Sequence, residues 1–188
     1  MKIFFFGGAF DPPHKAHKLI YKHCIDLCDK FIFFPAKQSP GKNLPNEEDR
    51  NRFEMLKLLI DKEDFKKVSI DDFELSNNKK SFTIETIQYL KNKFIDSKLY
   101  MIIGYDQYMN LKKWKNYKEI LNSVEIICFK RKNDSFNKIF PANIVDFNYD
   151  ISSTLVRKLI QKNEINLCKN LVNQKVYDYI VDNKLYRN

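Results

Sequence analysis

A chain of 188 residues can bury one substantial core, and its 44% apolar and 14% aromatic content argues for a globular fold and against disorder. The formal charge of +9 invites a nucleic-acid partner, but only five of the 33 basic residues are Arg, the lysines are scattered, and no RNA motif interleaving aromatic and basic residues appears. The N-terminal run KIFFF ends in Gly-Gly, too short for a signal segment or a membrane span, so a soluble cytoplasmic protein with no membrane contact is expected.

Strand and helix patterns alternate along the chain. KIFFF (2 to 6) and KFIFFP (30 to 35) are short continuous apolar runs, the pattern of strands buried on both faces of a parallel sheet. Between them Ala16, Leu19, Ile20, His23, Cys24 and Leu27 recur at helical spacing, which completes a βαβ unit and reads His23 as a semi-buried packing residue. EDRNRFEMLKLLI reads as helix, KKVSID as strand, TIETIQYLKNKF as helix and KLYMIIG as strand. A helical or turn segment then runs through Trp114, followed by the strands SVEIICFKR and NIVDFN, and the last third from SSTLVRKLI to VYDYIVDN is helical. Such alternation predicts an α/β fold: a Rossmann-like doubly wound parallel sheet flanked by helices, with ligands at the carboxyl ends of its strands. Cys24, Cys28, Cys128 and Cys168 show neither CxxC nor a metal-ligand spacing and read as reduced core thiols.

GGAFDPPHKAH (7 to 17) holds two of the four Gly, two of the six Pro and two of the three His. The first strand delivers the chain to Gly7-Gly8, where absent Cβ atoms let backbone N–H groups approach a ligand, and a helix begins near Pro13 to Lys15. His14 and His17 then lie within one turn of that helix's positive end. Two imidazole donors there can hold phosphate oxygens and stabilise charge in phosphoryl or nucleotidyl transfer. A plainer alternative has Pro12-Pro13 start the helix while the histidines cap or pack locally. At ISSTLVR (151 to 157), Ser152 or Ser153 suits an N-cap before an apolar face of Leu155, Val156, Leu159 and Ile160. Arg157 points off that face, where a guanidinium can bind phosphate oxygens in a bidentate fork. A capped helix carrying a surface Arg explains the same residues.

GGAFDPPHKAH resembles the GGxFDPPHxGH signature of the nucleotidyltransferase superfamily that carries HxGH, and ISSTLVR resembles its second signature, ISSTxxR. Three further stretches point to one branch, the bacterial nicotinate-nucleotide adenylyltransferases. SFTIET (81 to 86) is similar to that branch's SYTxxT, IIGYDQYMNLKKW (102 to 114) to its IIGxD…W, and FKR (129 to 131) to its KR after a strand, with a final KLY (184 to 186) like its terminal GLY. The matches occur in the family's order.

The resemblance implies one nucleotidyltransferase domain over 1–188 that joins ATP and nicotinate mononucleotide into deamido-NAD and releases pyrophosphate. It implies His14, His17 and Arg157 as catalytic residues. It places the ATP phosphates on Gly7, Gly8, Ala9, Phe10, Gly104, Asp106, Ser152, Ser153 and Thr154, with the adenine near the final helix. Lys42, Ser81, Phe82, Thr83, Trp114 and Arg131 would contact the mononucleotide, Trp114 by stacking on the pyridine ring. Mg²⁺ is the implied cofactor, held mainly by nucleotide and water because no dense carboxylate cluster is present. A homo-oligomer stays open. Nicotinamide mononucleotide, or both mononucleotides, are alternative substrates, followed by a phosphopantetheine adenylyltransferase and a basic RNA-binding module. Ala9 replaces the family's usual Thr, Ala16 its Gly, Gly41 its His, and Phe82 a Tyr, which puts fine substrate contacts in question.

Overall fold

The computed structural model describes residues 1–40, 43–76, 80, 82–130 and 137–187. Six strands form the sheet: β1 (Lys2–Gly8), β2 (Lys30–Pro35), β3 (Val68–Ile70), β4 (Lys98–Gly104), β5 (Glu125–Lys130) and β6 (Asn143–Asp146). Their order is β3-β2-β1-β4-β5-β6 and every pair is parallel, as the alternation of strand and helix patterns predicts. The order reverses between β1 and β4, and the ladders diverge there. The β1–β4 pairing ends at Phe6 opposite Ile102, while β1 stays paired with β2 to Gly8–Pro35 and β4 with β5 to Gly104–Phe129. A crevice therefore opens at the carboxyl ends of the two central strands.

Alternation along the buried strands supplies two cores. Phe4, Phe6, Phe31 and Phe33 face helices α1 (Lys15–Cys24), α2 (Asp49–Leu59), α7 (Ser153–Gln161) and α8 (Gln174–Asp182) through a cluster that includes Tyr21, Leu56, Val156 and Ile180. Ile3, Phe5, Ile32 and Phe34 face the other way, onto a cluster shared with α4 (Thr83–Lys93), α5 (Tyr105–Met109) and α6 (Tyr117–Ser123). A single turn, α3 (Phe73–Ser76), sits between β3 and α4. The four cysteines are all buried and none forms a disulfide, and burial pushes the Cys24 thiol up to about 12 and that of Cys28 up to about 11, so both remain protonated packing groups. Among the described residues no helix is long and apolar enough to cross a membrane.

Four local readings of the sequence are corrected. Helix α1 stops at Cys24, which leaves Leu27 54% exposed; its buried face is Ala16, Ile20, Tyr21 and Cys24. His23 is exposed, its ring only edging Phe129 at a centroid separation of 5.6 Å. On α7 the residues turned fully to the core are Val156 and Ile160, four apart on one edge of the helix, which leaves Leu155 39% exposed. The last third is less continuous than expected: a 3-10 stretch, Ile165–Asn170, separates α7 from α8.

Phe33 is the aromatic centre of the first cluster, with the rings of Phe6, Phe10, Tyr21 and Phe31 at centroid distances of 6.0, 5.5, 5.9 and 4.9 Å. Phe33→Ala should destabilise the fold by about 3–5 kcal/mol in urea denaturation. A cost under about 1 kcal/mol would contradict this packing.

Candidate active site

The crevice is a cavity of about 900 Å³ whose walls come from both signatures. Gly7, Gly8, Ala9, Phe10, His14 and His17 line one side; Ser152, Ser153, Thr154 and Arg157 line the other; Gly104 and Asp106 close it at the end of β4. All twelve residues expected to be catalytic or to meet the ATP phosphates are thus together.

Each is placed by its local chemistry. After the bend at Asp11-Pro12, His14 takes the extended φ −140° and ψ 173°, and the helix begins at Lys15. The His14 N–H donates to Nδ1 of His17 at 3.2 Å, so in the neutral imidazole the His17 proton sits on Nε2. The two rings stack at a centroid distance of 3.7 Å and an interplanar angle of 20°. Burial holds the pKa of His14 down to about 4. Burial, and then the neighbouring His14, hold that of His17 well below its ordinary value. Both imidazoles are therefore neutral at pH 7 and act as hydrogen-bonding groups rather than as cations. Nδ1 of His14 is buried without a protein partner.

Phe10 lies in the left-handed region at φ 48°, unusual for a bulky residue. Its ring is driven into the core, 5.4 Å from Phe6 and 5.0 Å from His17 between centroids, so only its backbone is available to a ligand. A Cβ on Gly8 would stand 3.1 Å from that ring, which is why position 8 carries no side chain. Ala16 is buried at the cavity wall, where its methyl occupies the space a glycine would leave open.

The two signatures are joined directly. Ser153 Oγ donates to the carbonyl of Pro12 at 2.8 Å, and Arg157 Nη1 donates to the carbonyl of Asp11 at 2.6 Å. Ser152 is the N-cap, accepting the Leu155 N–H at 3.2 Å, and Thr154 Oγ1 accepts from Arg157 Nη2 at 3.2 Å. Arg157 is thus held on both sides with its fork at the cavity wall. Asp106 is exposed and is the second residue of α5; Gly104, not Asp106, precedes that helix, so its carboxylate is not spent as the helix N-cap.

The mononucleotide residues separate into three groups. Lys42, Ser81 and Arg131 lie outside the described residues. Phe82 lines a second cavity of about 650 Å³ with Lys37, Gln38, Lys80, Glu85 and Lys115, and Leu44 lines both cavities. Thr83 opens α4, and Trp114 is partly buried against the same apolar cluster as Phe82; neither borders the crevice.

Sequence reasoning missed three groups. Arg52 is fully buried and donates to the Ala9 carbonyl and to Asp49 Oδ1, each at 2.6 Å, fixing the loop beside Gly8. Thr86 Oγ1 donates to the buried Glu74 at 2.7 Å, underneath Gly7. Asp11, 3% exposed, gathers the segment before α2 onto the glycine loop. An Arg at a helical core spacing with Met55, Leu56 and Leu59 was the one available signal.

A family model described as cytidylyltransferase-like matches residues 5–159. A protein of Aliarcobacter butzleri described as "Probable nicotinate-nucleotide adenylyltransferase" is 38% identical over 162 residues, covering 85% of this chain and 88% of the relative. A Caldicellulosiruptor saccharolyticus protein of the same description is 34% identical over 201 residues, covering 100% of both chains. The chain belongs to the nicotinate-nucleotide adenylyltransferase family. At the level of fold, the Plasmodium falciparum nicotinic acid mononucleotide adenylyltransferase complexed with NaAD superposes with a TM-score of 0.84 at 22% identity, covering 98% of this chain and 97% of that one.

The histidines make stability depend on pH. Below about pH 6.5 the unfolded chain binds protons that the folded chain refuses until its lower pKa, so stability rises with pH across roughly 4 to 6.5 and is lost on acidification. For His14 alone the full gap is worth about 3 kcal/mol. His14→Asn keeps a good cap and removes that term, so its unfolding free energy should fall less than the wild type's between pH 7 and pH 4.5. Equal falls in urea titrations would show that His14 is not buried in its neutral form.

Proposed function

We propose that the protein transfers the adenylyl group of ATP to nicotinate mononucleotide, giving deamido-NAD and pyrophosphate, as a step of NAD biosynthesis. The observation that carries this reading is the pairing of two helix N-termini across the crevice, one bearing the stacked neutral imidazoles and the other Arg157 with its hydroxyls, in a member of this family. Helix N-termini and a guanidinium stabilise phosphate charge without forming a covalent intermediate.

In this reading the β and γ phosphates of ATP lie on Ser153, Thr154 and Arg157, and the α phosphate lies beside Gly7, Gly8, His14 and His17. A 5′-phosphate oxygen of the mononucleotide attacks the α phosphorus in line. The bond from that phosphorus to the β-bridging oxygen breaks, and its electron pair leaves with pyrophosphate. His17 Nε2–H donates to the developing negative charge, and Arg157 receives the charge that accumulates on the leaving group. Because both histidines are neutral at pH 7, they donate hydrogen bonds without a proton having to be taken up first.

Mg²⁺ fits this donor set as an ion carried by the nucleotide. In this reading the exposed Asp106 carboxylate, which lines the crevice, would hold the ion through water. The ion would supply charge neutralisation on the phosphates. The smaller cavity would take the acid mononucleotide: Lys115 is paired with Glu85 at 3.0 Å and Lys37 with Asp49, and Lys80 adds a further positive charge to the lining that also presents the Phe82 ring. Trp114 packs on the same apolar cluster as Phe82 but lines neither cavity, so in this reading the pyridine ring reaches it past the Phe82 wall and stacks there.

Purified protein with Mg–ATP should release pyrophosphate with nicotinate mononucleotide and more slowly with nicotinamide mononucleotide; no product with either would sink the reading. His17→Ala should lower kcat by about two to three orders of magnitude while circular dichroism stays unchanged. Trp114→Ala should raise KM for the mononucleotide by about 10-fold and leave KM for ATP unaltered; equal Michaelis constants would remove Trp114 from the ring site.

A further inference from the structure

Near the far end of the chain Tyr186 enters the catalytic loop. Its ring is 6% exposed, and its hydroxyl donates to Asp11 Oδ1 at 2.9 Å across 175 residues of sequence. Its own N–H donates to Glu47 Oε1 at 3.1 Å. The backbone of Tyr186 is left-handed, φ 62°, a conformation that costs free energy and persists where the surroundings over-determine it. Asp11 in turn accepts the N–H groups of Asn46 at 2.7 Å and Glu47 at 3.2 Å, and its Oδ2 stands 3.7 Å from Arg157 Nη1. The Asp11 carbonyl accepts the same guanidinium at 2.6 Å. One buried carboxylate therefore ties together a phosphate-site arginine, the wall segment containing Leu44 and Asn46, and Tyr186.

We propose that Tyr186 is a positioning residue for adenylyl transfer: its hydroxyl, acting through Asp11, fixes the Arg157 fork and the 43–47 wall around the triphosphate. The inference rests on the adenylyltransferase reading of the crevice. Burial, and then Asp11, push the phenol pKa well up, so the hydroxyl remains a donor throughout the working pH range. Without that donor Asp11 keeps the Asn46 N–H on Oδ2 and the longer Glu47 N–H bond on Oδ1 but loses its closest Oδ1 partner, which loosens the buried carboxylate beside Arg157 and lets the guanidinium shift toward it and away from the phosphates. An aromatic anchor whose only task is to hold the last turn in the core would not need its hydroxyl on this particular carboxylate.

Tyr186→Phe keeps the ring and deletes the bond. The control is Tyr21→Phe, which deletes another buried hydroxyl, bonded to the Asp61 N–H at 3.2 Å away from the crevice. Expected for Tyr186→Phe are a kcat lowered about 10-fold, an affinity for Mg–ATP lowered about fivefold in calorimetry, and an unchanged KM for the mononucleotide. Tyr21→Phe should stay within about twofold of wild type in all three. Combined with Arg157→Lys, the Tyr186→Phe effect should largely vanish, because both changes spoil one fork. Wild-type values for Tyr186→Phe, or losses that multiply independently with Arg157→Lys, overturn the proposal. Failure of the wild type to form product with either mononucleotide sinks the parent reading alone, since calorimetry with Mg–ATP still tests Tyr186. Failure of the wild type to bind Mg–ATP overturns both.

Discussion

The separation of β1 from β4 is the constraint on which the site depends. Up to Phe6 and Ile102 the two central strands satisfy each other's backbone groups, and beyond that point each stays paired only with its outer neighbour. A sheet held together on both sides of a gap is rigid at the gap's edges. The glycine loop, the first turn of α1 and the start of α5 inherit that rigidity, so a ligand between them meets walls that need little reorganisation. The same rigidity makes the left-handed backbone of Phe10 tolerable, since its ring is locked among Phe6, Phe33 and His17.

The electrostatics follow from burial more than from formal charge. Although the chain carries +9, the centre of the crevice is built from two neutral imidazoles, hydroxyls and one guanidinium that is already bonded to the Asp11 carbonyl. Surface lysines attract a polyanion from a distance but are screened within about 10 Å at ordinary salt. Close to the reacting phosphorus, discrimination falls to oriented dipoles of fixed geometry.

The strand boundaries and the helical segments were legible in the sequence because continuous apolar runs and helical spacing are local patterns: KFIFFP and KLYMIIG coincide with β2 and β4 residue for residue. The two segments that line the crevice were legible as well, since Gly-Gly before His14 and Ser152 before Arg157 are short-range patterns. The face of α1 was misjudged because the helix ends at Cys24, and nothing within the periodic pattern announces that stop. Asp11, Arg52 and Tyr186 escaped for a different reason. A carboxylate between Phe and Pro, an Arg within an amphipathic helix and a Tyr near the last turn are each ordinary alone. Their meaning comes from partners 35 to 175 residues away.

The Asp11–Tyr186 bond also has a consequence for biosynthesis. Asp11 leaves the ribosome before the hydroxyl that it binds, which is made 175 residues later. The strands can pair and the helices can dock on the growing sheet before then, but Asp11 is short of a donor until the last turn folds back. Contacts of such separation form slowly and close the molecule as a unit. The bond therefore couples the packing of the loop around Asp11 to that of a segment made 175 residues later.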